Sequence, residues 1–196
     1  EVEAHVAEPE SAGKPVLGWI GGAPRAMPDL ALLVPVLGRL VERGVSFRFR
    51  LIGALGDPVV HEAFAHIPGL DAEVVDQIAW ERPGAIPSAV ASFDVGVCPL
   101  RDNEANQARC SLKVLDYMSV GIPVCISDVG ENRWFVEHGT SGFLAATEDD
   151  WVEHLARLLG DPGLRGRVGR EARERIRTRY TYQANVDGYR RFISGR

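Results

Sequence analysis

Short apolar runs alternate with stretches of helical periodicity along nearly the whole chain, and this alternation limits the fold more than any other feature. PVLGWI (15–20) is a short apolar run ending at Gly21-Gly22, as expected of a first strand. MPDLALLVPVLGRLVERG (27–44) carries apolar residues at helical spacing, with Pro35 inside the pattern as the expected kink or break. FRFRLIG (47–53) alternates like a strand, and DPVVHEAFAHI (57–67) is a helix with Asp57 as its cap. AEVVDQIAW (72–80) predicts a strand, PSAVASF (87–93) a short helix and DVGVCPL (94–100) a buried strand. The loop RDNEANQAR (101–109) leads into the helix SLKVLDYMSVG, then the strand IPVCISD (122–128) and a helix near NRWFVEHG. GFLAA (142–146) is a last strand, and the remainder is helical.

Such an order implies an α/β fold, a Rossmann-like and mainly parallel sheet with helices on both faces. A chain of 196 residues suits one domain of ordinary size. No internal repeat or linker divides residues 15–196, while residues 1–14 are polar and have the character of a linker end. No apolar run approaches the ~20 residues that cross a bilayer, and the acidic start EVEAHVAEPE is unlike a signal peptide. Three cysteines (Cys98, Cys110, Cys125) without paired spacing argue against a disulfide framework and for a reducing cytoplasm. All three lie in apolar surroundings and are expected to be buried. The net charge of −5 gives no general nucleic-acid signal. Residues 161–196 hold ten arginines against four acids, but Arg and Glu alternate there, which favours a solvated helix face over a nucleic-acid or membrane surface.

Ligands of parallel sheets bind beyond the carboxyl ends of the strands. GWIGGAP (18–24) lacks the spacing of the dinucleotide fingerprint, and no Walker loop exists. Gly21 and Gly22 could let backbone approach a phosphate, or simply make a tight turn. The stretch CSLKVLDYMSVGIPVC (110–125) is richer, because it holds Lys113, one of only two lysines. Ser111 is a plausible N-cap, so the N–H groups after it are available to an anion, with Arg109 and Lys113 beside them. Asp116 shares a helix face with Lys113 and could accept from ribose hydroxyls, while Leu112, Leu115 and Met118 face the core. Spacing alone slightly favours an exposed Lys113–Asp116 ion pair without a ligand, since such pairs are common. The five histidines form no metal-ligand cluster. Asp128 after its strand fits either a catalytic acid or the cap of the next helix.

LGWIGG, FDVGVCPL and RCSLKVLDYMSVGIPVCISDVGENRWFVEHGTSGFLA, in this order, resemble the C-terminal, donor-binding half of a GT-B glycosyltransferase. The chain is most similar to the retaining family 4, and EDDWVEHLARLLGDPGLRGRVGREARERIRTRY resembles the helical end of such domains. The resemblance implies a donor-binding domain over residues 15–180. It also implies a C-terminal helix (181–196) that packs toward an N-terminal acceptor-binding domain missing from these residues.

By the same resemblance the co-substrate is a nucleoside-diphosphate sugar (UDP or GDP), with neither cofactor nor metal. The diphosphate would meet Ser111 and Leu112 through their backbone, Arg109 and Lys113, and also Gly21 and Gly22; the family's Arg and Lys after the first strand are not cleanly present, and Arg25 is their nearest substitute. The ribose-binding glutamate of the family falls on Asp116, and the base would lie near Ile78, Ala79 and Trp80. Trp80 would either stack on the base or pack in the interior. The family's first glutamate, which contacts sugar hydroxyls, falls on Ala108, a departure from the pattern. That departure keeps a non-catalytic nucleotide-sugar scaffold or sensor in view, as well as an epimerase of the same architecture. The full enzyme would work in carbohydrate biosynthesis, and peripheral membrane association is compatible with the family.

Overall fold

A computed structural model describes residues 13–195. The linker reading of residues 1–14 therefore falls outside them except for Gly13 and Lys14; the Lys14 ammonium donates to Asp71 at 3.2 Å.

Six strands form one parallel sheet: β1 (Val16–Ile20), β2 (Arg48–Ile52), β3 (Ala72–Val75), β4 (Val95–Cys98), β5 (Val124–Ser127) and β6 (Phe143–Ala145). Their order across the sheet is β3-β2-β1-β4-β5-β6, so the chain runs outward from β1 and then restarts on its other side at β4. That restart opens a crevice beyond the carboxyl ends of β1 and β4.

Helices cover both faces, as all-parallel sheets require. One face carries α1 (Ala23–Leu30), α2 (Leu33–Glu42), α3 (Pro58–Ala65) and α8 (Glu148–Gly160) over a core that includes Leu37, Phe49, Phe64 and Trp151. The other carries α4 (Ala85–Val90), α6 (Leu112–Ser119) and α9 (Pro162–Arg179) over Phe93, Tyr117, Met118 and Ile176. Two four-residue helices, α5 (Glu104–Gln107) and α7 (Asn132–Phe135), lie in the loops after β4 and β5, and α10 (Tyr182–Ser194) closes the chain.

Several boundaries differ from the sequence reading for local reasons. The helix expected over 27–44 is two helices, and they part at Ala31–Leu32 rather than at Pro35. Pro35 stands in the first turn of α2, where its missing N–H has no acceptor to lose. The strand expected over 72–80 ends at Val75. Beyond it, Asp76 serves another structure, accepting from Gly56 N–H at 2.8 Å and pairing with His61 at 2.8 Å. The helix expected near 132–139 shrinks to α7, and Asp128 does not cap it; that carboxylate pairs with Arg133 instead. The loop over 101–109 contains α5. Cys98 and Cys125 are buried as expected, but Cys110 is exposed.

Candidate functional site

Helix α6 is docked by one side chain. Tyr117 is fully buried, and its hydroxyl accepts from the backbone N–H of Ile20 in β1 at 3.2 Å. Its ring lies over Gly96 of β4, where a Cβ would come within 2.7 Å of it. Val114 and Met118 share that inward face. Leu112 does not join it, as the sequence had suggested; it is 63% exposed at the mouth of a cleft, and Leu115 is half-buried. The buried stripe is thus one residue out of phase with the expected one, because it is centred on the contact with β1 and β4.

The start of α6 is open. Ser111 stands at the N-cap position, but its hydroxyl donates to Asn132 Oδ1 at 2.6 Å instead of capping the helix. Asn132 in turn donates to the Ser127 carbonyl at 2.8 Å, tying the start of α6 to the end of β5. With the cap drawn away, the N–H groups of Leu112 and Lys113 have no acceptor among the described residues. A helix end in that state favours an anion.

These groups face a cleft of about 640 Å³ in the crevice between β1 and β4. Its walls bring together Gly22, Arg25, Arg109, Ser111, Leu112 and Lys113. Gly21 borders the same place, since a Cβ there would lie 2.5 Å from Lys113 Cε. At φ +153° the backbone favours glycine, and a Cβ there would have to displace the end of the lysine side chain. Gly53, at φ +107°, is held more tightly, since a Cβ there would lie 1.8 Å from the Gly21 carbonyl oxygen.

The lysine stem thus crosses Gly21 and carries its ammonium to 5.3 Å from the centre of the Trp19 ring. That contact, rather than an ion pair with Asp116, orders Lys113; the expected surface pair does not form. Arg25 likewise has no acid partner among the described residues. Arg109 does, donating to Asp29 Oδ2 at 3.3 Å.

The remaining predicted residues are not among those walls. Asp116 lies one turn further along α6, half-buried, and burial holds its carboxyl above the ordinary aspartate value despite nearby Lys113. Ile78 packs at the edge of the core under α4 and α6, while Ala79 and Trp80 lie in the irregular segment after β3. Trp80 is 38% exposed, so interior packing does not account for it. Ala108, the position of the missing acid, is exposed at the end of α5.

Other groups in this region carry no local sequence signal. Asp29 is 7% exposed and gathers donors from 72 to 80 residues away; Asn106 and Asn132 are also buried and hydrogen-bonded. A second cleft of about 540 Å³ lies beyond β5 and β6, lined by Arg101, Asp128, Arg133 and Thr147, and shares Leu100 with the first. Cys98 lines the first cleft from below, its thiol pushed up to about 11 by burial. Among the described residues there is no group of three or more His, Cys, Asp or Glu able to hold a metal ion. No helix there is long and apolar enough to cross a membrane.

A parallel sheet in this strand order, with a cation-lined cleft at its switch point, defines a Rossmann-like domain of the kind found in GT-B glycosyltransferases. The chain belongs to the glycosyl transferases group 1 family, whose model matches residues 14–161. It is 25% identical over 173 residues to a Xenopus tropicalis protein, glycosyltransferase 1 domain-containing protein 1, covering 86% of this chain and 47% of the relative. It therefore spans about half the length of that curated relative.

Among solved structures it is similar to sucrose-phosphate synthase from Thermosynechococcus elongatus, with 20% identity and a TM-score of 0.73 over 93% of this chain and 46% of that one. Anabaena HepE, solved in complex with UDP and glucose, matches with 15% identity and a TM-score of 0.73 over 94% and 49%. The C-terminal domain of a group 1 family protein, LpcC from Francisella tularensis, matches with 17% identity and a TM-score of 0.68 over 86% and 87%. At these identities the likeness is one of fold.

Proposed function

We propose that the chain is the donor-binding half of a glycosyltransferase that moves a hexosyl group from a nucleoside-diphosphate sugar with retention of configuration. The observation that carries this reading is the uncapped start of α6, opening into the cleft where Arg25, Arg109 and Lys113 converge. A diphosphate there accepts from the N–H groups of Ser111, Leu112 and Lys113 and from the three cationic side chains. Gly22, where a Cβ would meet nothing within 4 Å, leaves room for it, and Gly21 brings the Lys113 stem close alongside. Asp116 takes the ribose hydroxyls, and the segment Ile78–Trp80 takes the base, with the exposed indole as its stacking surface. As the sugar leaves, charge grows on the diphosphate, and the helix end and cations stabilise it without a metal ion.

Residues 15–180 form the donor-binding unit in this reading, and α10 packs on a second, acceptor-binding α/β domain outside these residues. Tyr182, Tyr189, Phe192 and Ile193 of α10 are all exposed, as a helix awaiting such a neighbour would leave them. The half-enzyme binds donor but does not transfer sugar, because transfer requires both domains to close over it.

UDP or GDP at saturating concentration is expected to raise the melting temperature of the chain. Arg109→Ala combined with Lys113→Ala is expected to remove that shift, measured against each protein's own unliganded melting temperature. No shift with any nucleoside diphosphate sinks the reading.

Ala108 supports a second one, in which the domain binds a nucleotide sugar but serves as a sensor or scaffold, or belongs to an epimerase. Protein carrying the second domain decides between them. Transfer or donor hydrolysis marks a transferase, sugar isomerisation without acceptor an epimerase, and binding alone a sensor.

A further inference from the structure

Asp29 is an acid set within the cationic side of the molecule, and its two oxygens are used differently. Oδ1 accepts from the backbone N–H of Arg101 at 3.0 Å, Asn106 Nδ2 at 3.0 Å and Arg101 Nε at 3.4 Å. Among the described residues, Oδ2 accepts only from Arg109 Nη1, at 3.3 Å. The first oxygen ties the loop after β4 to helix α1; the second holds Arg109 of the cleft. Asn106 strengthens the tie by also donating to the Arg101 carbonyl at 2.9 Å. The Asp29 side chain is 9% exposed, whereas both arginine side chains are about half exposed (53% for Arg101, 47% for Arg109). The fixed member of each pair is therefore the acid, and the arginines are the groups it orients.

A long cationic side chain left free in solvent must be ordered when an anion binds, and that ordering weakens binding. One whose guanidinium is already held by a buried acceptor loses less. A guanidinium has five donors, so a bond from one Nη to Asp29 leaves others to reach the cleft. We propose that Asp29 is a positioning residue: it holds Arg109 against the cleft wall so that the phosphate groups of the donor meet it already oriented. The inference rests on the donor-cleft reading above. It adds a role for an acid that touches no ligand itself and that repulsion alone would exclude from an anion site.

The opposing effect is electrostatic. A carboxylate behind the guanidinium weakens the field that an anion feels, and neutralising it would by itself strengthen binding. The cost of ordering an Arg109 side chain freed from Oδ2 is expected to outweigh that gain.

Asp29→Asn separates the two uses of the carboxyl. Its amide oxygen can keep the donors at Oδ1, while its NH2 in place of Oδ2 cannot accept from Arg109. UDP binding by calorimetry is measured for wild type, Asp29→Asn, Arg109→Ala and the double variant. Asp29→Asn is expected to weaken UDP about five- to tenfold, the order associated with ordering one freed long side chain, and to change affinity less than twofold when Arg109 is already alanine.

A residue that merely holds the loop would cost the same in both backgrounds, and that result overturns the proposal. Tighter binding by Asp29→Asn overturns it as well, since charge would then outweigh orientation. Asp29→Glu, which keeps the charge but displaces the acceptor, is expected to show a smaller loss with the same dependence on Arg109. It serves as the test if the asparagine variant folds poorly. Failure of the wild type to bind any nucleoside diphosphate would sink the donor reading and this inference together. Binding with an Arg109-independent loss sinks only the inference.

Discussion

Asp116 shows how burial and charge act on a single residue of α6. Burial raises its carboxyl above the usual aspartate value, and Lys113 lowers it by less. The folded protein therefore keeps this proton to higher pH than the unfolded chain does. Stability contributed by the site is present at low pH and falls as pH rises through that window. Asp116→Asn removes the dependence. It is expected to melt above wild type near pH ~7, with the gap closing below pH ~4, where both states of the wild type are protonated. A gap that stays constant across that range would remove burial as the cause. The same variant should weaken nucleoside diphosphate binding if the carboxylate holds ribose. A residue mildly costly to the fold and useful to a ligand is what functional positions commonly show.

At the scale of elements, the position of α6 depends on how closely α9 can approach its C-terminal turn. A Cβ at Gly169 of α9 would lie 2.1 Å from the carbonyl oxygen of Gly121, just past α6. Alanine is the better helix former by about 1 kcal/mol, yet here it must push a backbone carbonyl rather than a flexible side chain. Gly169→Ala is therefore expected to destabilise the fold by about 1–3 kcal/mol, measured by urea denaturation. Gly166, on the same helix, would meet only the end of the Arg170 side chain at 3.5 Å and serves as the control, expected to be neutral or stabilising on substitution to alanine. Equal effects at both sites would show that helix propensity, not the approach of α9, dominates.

Across the whole molecule, the two apolar layers leave α10 out. It contributes no buried residue, and its chief neighbour is α9, whose end is secured by Tyr180 packing at a tilt against Phe135, ring centres 4.9 Å apart, and by the Tyr180 hydroxyl donating to the Trp134 carbonyl at 2.7 Å. Deleting residues 182–196 is expected to shift the melting temperature by less than about 2 °C, because surface changes outside such features cost little. A large loss would mean that α10 stabilises this unit itself. The deletion should leave nucleoside diphosphate binding intact and impair transfer only in protein that carries the second domain.

The amino-acid sequence by itself determined the alternation of strands and helices, and with it the parallel sheet and the crevice at its turning point. Apolar periodicity and helix-end residues are local properties, and right-handed crossovers leave such a chain few topologies. Local order also brought Arg109, Ser111, Leu112 and Lys113 to one helix start, since they are neighbours in the chain.

What the tertiary structure alone decided are partnerships between distant residues. The Ser111 hydroxyl turns to Asn132 rather than to its own helix, Lys113 lies over Trp19 rather than beside Asp116, and Arg109 is held by Asp29. Ser111 could have capped its own helix, and Lys113 could have met Asp116, with equal ease in sequence terms. Packing of α6 on β1 and β4 through Tyr117 brought the distant partners within reach, and nothing local encodes that proximity.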